Sequence, residues 1–203
     1  VLFNPIIAQK RTLYSGIFRQ TLPNGDFSFY GTQTKDEIGK RYSIDSSLRW
    51  QINDVWSTNA RLNKTSDTTY IRRYDITGYD SSDPWLESKA DVTALTSDTY
   101  FALEGFKYQN LRNYVNDDTF PNDIPMLTFS HTTAPDSAGG YFTIDSSAVR
   151  LSQKDGLESS RLSGKLGWQV PTMHWGGGVF DFRTFVRADG YKVDKPYDLY
   201  GPD

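Results

Sequence analysis

The sequence predicts an all-β protein, an antiparallel up-and-down transmembrane β-barrel segment of about ten strands belonging to a larger barrel. Three features of the 203 residues carry this expectation. Apolar and polar residues alternate with period two inside segments, which gives a strand two unlike faces. The segments run to roughly ten to twelve residues, enough for a tilted strand to cross a hydrocarbon layer, which takes about 9–11. The links between them alternate between tight and extended, as periplasmic turns and extracellular loops do in such barrels.

Strands are expected at about 11–22, 27–34, 41–52, 55–64, 85–96, 99–108, 124–134, 141–152, 161–170 and 179–192. The first two flank Pro23-Asn24-Gly25-Asp26, a compact hairpin in which Asn-Gly signals a type I′ turn. After a polar link at 35–40, RYSIDSSLRWQI shows the clearest pattern: Tyr42, Ile44, Leu48, Trp50 and Ile52 on one face, Ser43, Asp45, Ser47, Arg49 and Gln51 on the other. Asn53-Asp54 is tight, and residues 55–64 then set Trp56, Ala60 and Leu62 against Asn59, Arg61 and Asn63. A long link, 65–84, precedes WLESKADVTALT, where Leu86, Ala90, Val92 and Ala94 oppose Glu87, Lys89, Asp91 and Thr93. Ser97-Asp98 leads to 99–108, the loop 109–123 to 124–134, and a turn near 135–140 to 141–152; the faces of 99–108 and 141–152 stay unassigned. A link at 153–160 enters SRLSGKLGWQV, in which Leu162, Leu166, Trp168 and Val170 oppose Arg161, Ser163, Lys165 and Gln169. Beyond a turn around 171–178, Phe180, Phe182, Val186 and Ala188 oppose Asp181, Arg183, Arg187 and Asp189, with Phe185 interrupting the polar row.

The totals fit this reading without selecting it. A mean hydropathy of −0.59 leaves no apolar run of about 18 residues for a membrane helix, but a spanning strand shows only every second residue to lipid. The 15% aromatic content favours pleated sheet and membrane interfaces alike. The charged rows cannot enter a dry core unpaired, so they face water. That water fills a lumen in a barrel, or surrounds a soluble β-sandwich that binds carbohydrate through its aromatics. Another outer-membrane barrel, a porin or a TonB-dependent receptor, would share the same strand rhythm.

Chemistry finds little foothold. Net charge is −3, which offers no basic footprint for nucleic acid, and the absence of cysteine removes disulfides, thiolate metal sites and thiol nucleophiles together. The two histidines, His131 and His174, have no metal-site spacing and read as structural or interface side chains. No G-x-S-x-G elbow singles out a serine. Gly176-Gly177-Gly178 lacks the following Lys-Ser/Thr of a phosphate loop and reads as a turn. No carboxylate pair stands out for glycoside hydrolysis, and the acidic run from Asn116 to Asp123 is not an EF-hand but a solvated loop. The expectation is a protein that is not an enzyme and takes no cofactor or metal. Val1 is not a start methionine and Gly201-Pro202-Asp203 reads as a turn, so an internal piece of a longer polypeptide is expected. Such an arc would have two unpaired edges and would aggregate by itself.

Three stretches resemble LptD, the outer-membrane lipopolysaccharide-assembly family. The first is RWQINDVWSTNARLNKTSDTTYIRRYDI, where Ser66-Asp67 precedes Tyr70 and Arg72-Arg73-Tyr74 resembles the form of α-proteobacterial members. The second is FKYQNLRNY with the region from Pro121 to Pro125. The third is the Gly139-Gly140 lead-in to a strand, then RLSGKLGWQVP and FRTFVRADGY. Their succession covers about residues 10 to 192. The resemblance implies a large closed barrel in the outer membrane of a Gram-negative bacterium, behind a periplasmic β-jelly-roll domain. An LptE-type plug lipoprotein fills its lumen. Lipopolysaccharide arrives over a periplasmic Lpt bridge, its acyl chains pass sideways through a gate between first and last strands, and its sugars use the lumen. Residues 1–203 are then a partial barrel domain, with jelly roll and gate outside it. Pro5 and Pro23 are not matched to gate prolines, and the cysteines that join jelly roll to barrel in many members have no counterpart here.

The two rows receive separate tasks on this reading. Asp45, Arg49, Arg61, Glu87, Lys89, Asp91, Arg161, Lys165, Asp181, Arg183 and Arg187 are expected to face the lumen, where arginine and lysine would attract phosphate. Tyr42, Ile44, Leu48, Trp50, Ile52, Leu162, Leu166, Trp168, Phe180, Phe182 and Val186 are expected to face outer-membrane lipid.

Overall fold

A computed structural model describes residues 2–8, 11–76, 79, 83–112, 124–152 and 158–194. They form one antiparallel sheet of eleven strands in which each strand pairs only with its neighbours in the chain. The strands are β1 (Leu2–Ala8), β2 (Arg11–Leu22), β3 (Gly25–Lys35), β4 (Lys40–Gln51), β5 (Trp56–Thr65), β6 (Trp85–Leu95), β7 (Thr99–Asn110), β8 (Ile124–Thr132), β9 (Tyr141–Leu151), β10 (Glu158–Trp175) and β11 (Gly178–Asp194). One short helix, α1 (Tyr70–Tyr74), lies between β5 and β6. No described helix is long and apolar enough to cross a membrane, which says nothing about strands. Among the described residues β1 and β11 pair on one side only, so the sheet is open.

All ten expected strands are present, and their ends move by a few residues. β4 stops at Gln51, which leaves Ile52 in the following turn with its N–H on the Trp56 carbonyl (2.8 Å). β1 was not among the expected strands. Its run LFNPIIA lacks period-two alternation, and Pro5 is tolerated because the strand is outermost. β10 and β11 reach further than the spacing suggests, and the broad turn at 171–178 shrinks to Gly176-Gly177 (φ +57° and +80°). The ladder slips between Val170 and Met173, where Pro171 has no N–H to give.

The first hairpin is also built differently from the Asn-Gly expectation. Leu22 pairs with Gly25, so the loop is Pro23-Asn24, and neither residue has positive φ. Gly25 is needed for another reason. A Cβ there would run into the Arg49 carbonyl oxygen of β4.

Connections gather on two edges. One edge joins β2 to β3, β4 to β5, β6 to β7, β8 to β9 and β10 to β11; at the other lie the strand ends that lead from β1 to β2, β3 to β4, β5 to β6, β7 to β8 and β9 to β10. The two longest stretches between strands, 66–84 and 111–123, leave from and return to the second edge. The only cluster of buried apolar side chains among the described residues also sits there, formed by Leu13, Tyr70, Ile71, Ile76, Leu86 and Leu111.

Candidate functional site

Directly opposed residues of an antiparallel ladder share a face, and alternate residues take opposite faces. One continuous cross-strand row therefore runs Asp26, Arg49, Asn59, Asp91, Glu104, Met126, Val149, Arg161, Tyr191 from β3 to β11. A second row, on the opposite face, runs Trp50, Thr58, Val92, Leu103, Leu127, Ala148, Leu162, Gly190. By this register the eleven charged residues singled out in the sequence share the first face, here called the polar face. Ten of the eleven apolar ones share the second; Ile52 lies beyond the ladder. The register also assigns the two ambiguous strands: Ala102, Glu104, Tyr108, Thr143 and Asp145 take the polar face, Phe101, Leu103, Phe142, Ile144 and Ala148 the apolar one.

The polar face is a lattice of ion pairs. Arg49 meets Asp26 at 2.8 Å, Arg61 meets Asp45 at 3.6 Å, and Lys89 meets Glu104 at 2.6 Å. Lys165 is 4.0 Å from Asp145, Arg161 is 3.3 Å from Asp189, Arg187 is 2.9 Å from the same Asp189, and Arg183 is 2.6 Å from Asp181. Every arginine and lysine expected to draw phosphate thus already has a carboxylate beside it. The face offers mixed hydrogen-bonding groups rather than an anion trap. Asp145, Ser163, Lys165 and Arg187 line a shallow hollow of about 270 Å³ with Ser130, whose hydroxyl donates to Asp145 (2.7 Å). Phe185, the interruption in the polar row, lies on this face with the Lys165 ammonium 5.1 Å from its ring centre.

The apolar face keeps large side chains uncovered: Leu166 is 52% exposed, Phe182 53% and Val186 74%. Its aromatics concentrate toward the short-turn edge, where Trp56 packs edge-on to Phe101 (5.9 Å) and Trp168 to Phe182 (5.8 Å). The Trp168 indole N–H donates to Asp136 in the 133–140 turn (2.9 Å). His131 lies on this face, its Nδ1 2.8 Å from the Thr99 hydroxyl. The side chain of His174 and the acidic run 116–123 lie outside the described residues.

The sequence did not reveal what the 66–84 connection does. Its described residues, 66–76 and Tyr79, fold back over the polar face and are fastened by Arg41, a residue only 1% exposed. Arg41 donates from Nε and Nη2 to Asp67 (2.7 and 2.6 Å), from Nη1 to Asp36 (3.0 Å) and from Nη2 to the Thr69 hydroxyl (2.7 Å). Its guanidinium also lies 5.2 Å from the Tyr70 ring centre and 5.6 Å from that of Tyr74. Tyr74 donates to Asp36 (2.8 Å), Tyr70 shares a hydrogen bond with Thr32 (3.0 Å), and Tyr79 donates to the Ile44 carbonyl (2.8 Å). Burial pushes the Asp36 and Asp67 carboxyls up. Tyr74 and Arg41 on Asp36, and Arg41, Thr69 and Ser66 on Asp67, outweigh it and hold both well below the usual carboxylate range. Asp75 closes α1 with positive φ (+48°).

The same region loosens the sheet. β5 and β6 pair only as far as Arg61 and Lys89. Beyond that, the Ser88 hydroxyl accepts from the Asn63 N–H and donates to its carbonyl (both 3.0 Å). Gln109 reaches from β7 to accept from the Thr65 N–H (3.0 Å) and donate to its carbonyl (2.8 Å). Side chains stand in for a backbone ladder where the chain departs into its long connection.

An open meander with one charged, ion-paired face and one uncovered apolar face is consistent with a fragment of a barrel. A family model described as "LptD: LPS transport system D" matches residues 39–200. The chain belongs to the LptD family, a transport and assembly family rather than an enzyme family. No curated protein matches it.

Proposed function

We propose that this chain is a partial barrel domain of the outer-membrane translocon that inserts lipopolysaccharide into the outer leaflet of a Gram-negative outer membrane. The apolar face stands in hydrocarbon and the polar face lines a hydrated lumen that passes the sugars. The carrying observation is the separation of charge from apolar surface across the sheet, broken only at the strand ends nearest the long connections. A soluble molecule rarely leaves so broad an apolar surface uncovered. The long connections then lie on the extracellular side, and α1 hangs into the outer end of the lumen. The LptE-type plug and the periplasmic Lpt bridge belong to this reading as partners, and the sugar hydroxyls would exchange hydrogen bonds with the paired charges.

The test is photo-crosslinking in cells that carry the full-length protein. A benzophenone amino acid at Asp145, Lys165 or Arg187 should capture lipopolysaccharide, and the adduct should vanish when the periplasmic supply is shut off. Absence of adducts at all three positions in a transporting cell would contradict the lumen assignment.

A further inference from the structure

Among the described residues, charge on the apolar face is confined to one height. The charged residues that the register puts there are Lys35, Lys40, Lys64, Lys107, Arg150, Glu158, Lys192 and Asp194, and each lies in the strand end nearest the long connections. Arg150 pairs with Glu158 (3.2 Å) and Lys192 with Asp194 (2.9 Å). Lys35, Lys40, Lys64 and Lys107 are exposed and take part in no ion pair among the described residues. Lys35 and Lys40 even stand directly opposite each other, an arrangement that costs stability unless an anion lies between.

Below this cationic rim the surface is hollowed. A depression of about 670 Å³ has Ala60, Ala90 and Gly105 as its floor, Leu48 and Leu62 beside them, and Lys107 at its rim. A second, of about 550 Å³, holds Leu127, Ala148, Leu162 and Gly190, with Arg150 and Lys192 at its rim. The first joins an apolar trough to an unpaired cation, the shape of an amphiphile with an anionic head; at the second, Glu158 and Asp194 already neutralise the rim. Tyr14 and Tyr42, at rim height on the same face, suit the polar–apolar boundary.

We propose that this rim and the first trough bind a phosphorylated glycolipid on the outer wall, with phosphate at Lys64 and Lys107 and an acyl chain over Ala60, Ala90 and Gly105. The choice of a glycolipid rests on the function proposed above, which sets this edge in the leaflet that receives lipopolysaccharide. The site is separate from the lumen: it holds lipid already delivered, on the opposite face of the sheet.

The experiment is native mass spectrometry of the purified full-length protein with added lipid A, phosphatidylglycerol or phosphatidylcholine. Removing both lysines (Lys64→Gln with Lys107→Gln) should cut retained lipid A roughly 25-fold, about fivefold per cation at a membrane surface, and the double arginine variant should restore it. Gly105→Leu, which meets no atom closer than the Ala90 carbonyl oxygen 3.9 Å from the new Cβ, should fill the trough and lower retention with both lysines present. Variants are compared only after they show the heat-modifiable migration of the parent. Lipid A retention indifferent to the lysines, or phosphatidylglycerol retained as well as lipid A, would overturn the inference. If this face proves to stand in water, the function proposed above falls with it; if it stands in lipid and the lysines are without effect, the inference falls alone.

Discussion

Arg41 concentrates the residue-scale physics. An almost fully buried cation is tolerable only with its donors satisfied, and here two carboxylates, a hydroxyl and two aromatic faces do that. Removing one partner of such a cluster typically costs about 3–5 kcal/mol, because the others stay behind uncompensated. Arg41→Ala should therefore free the 66–84 connection, read as new protease cleavage within it, and Arg41→Lys should rescue poorly since an ammonium lacks the planar fork. Asp36 and Asp67 add a pH dependence. Their folded-state values lie below the unfolded one, so their contribution is complete above about 3.9 and drains as pH falls further. The connection should stay protected at pH 5 to 8 and become cleavable, by an acid-active protease, only well below pH 4.

Elements differ in how far the sequence discloses them. β4, β6, β10 and β11 were readable because one face of each is apolar, so period two survives in the residue types. β1 was not, because its apolar run carries no alternation. α1 has only five residues, too few to hold by propensity; packing of Tyr70 and Ile71 against the sheet sustains it, and that packing is tertiary. Arg41 opens the segment RYSIDSSLRWQI but does not stand out in it, because its carboxylates come from two separate connections. The Tyr70 and Tyr74 spacing, one helical turn apart, was the available hint. At the β5–β6 seam, Gln109 holds Thr65 on the side that β6 has left, opposite its pairing with Ser43 of β4. Gln109→Ala leaves both backbone groups without that partner, at about 1–3 kcal/mol. Hydrogen exchange at Thr65 should accelerate at least severalfold while that at Asn59, inside the regular ladder, should not change.

At the scale of the whole molecule, the division of faces was legible for the alternating strands, while 99–108 and 141–152 needed the register, which fixes a strand's faces once one neighbour is known. What each face meets follows from the medium. A sheet this wide with bare leucine, phenylalanine and valine on one side needs hydrocarbon or another layer of protein against it. The most direct measurement is the accessibility of nitroxide labels in the full-length protein reconstituted in bilayers. Labels replacing Leu162, Leu166 and Val186 should relax with dissolved oxygen and ignore a water-soluble nickel chelate, and labels at Ser163, Lys165 and Arg187 should show the reverse. Equal response to the chelate along both sets would contradict the account.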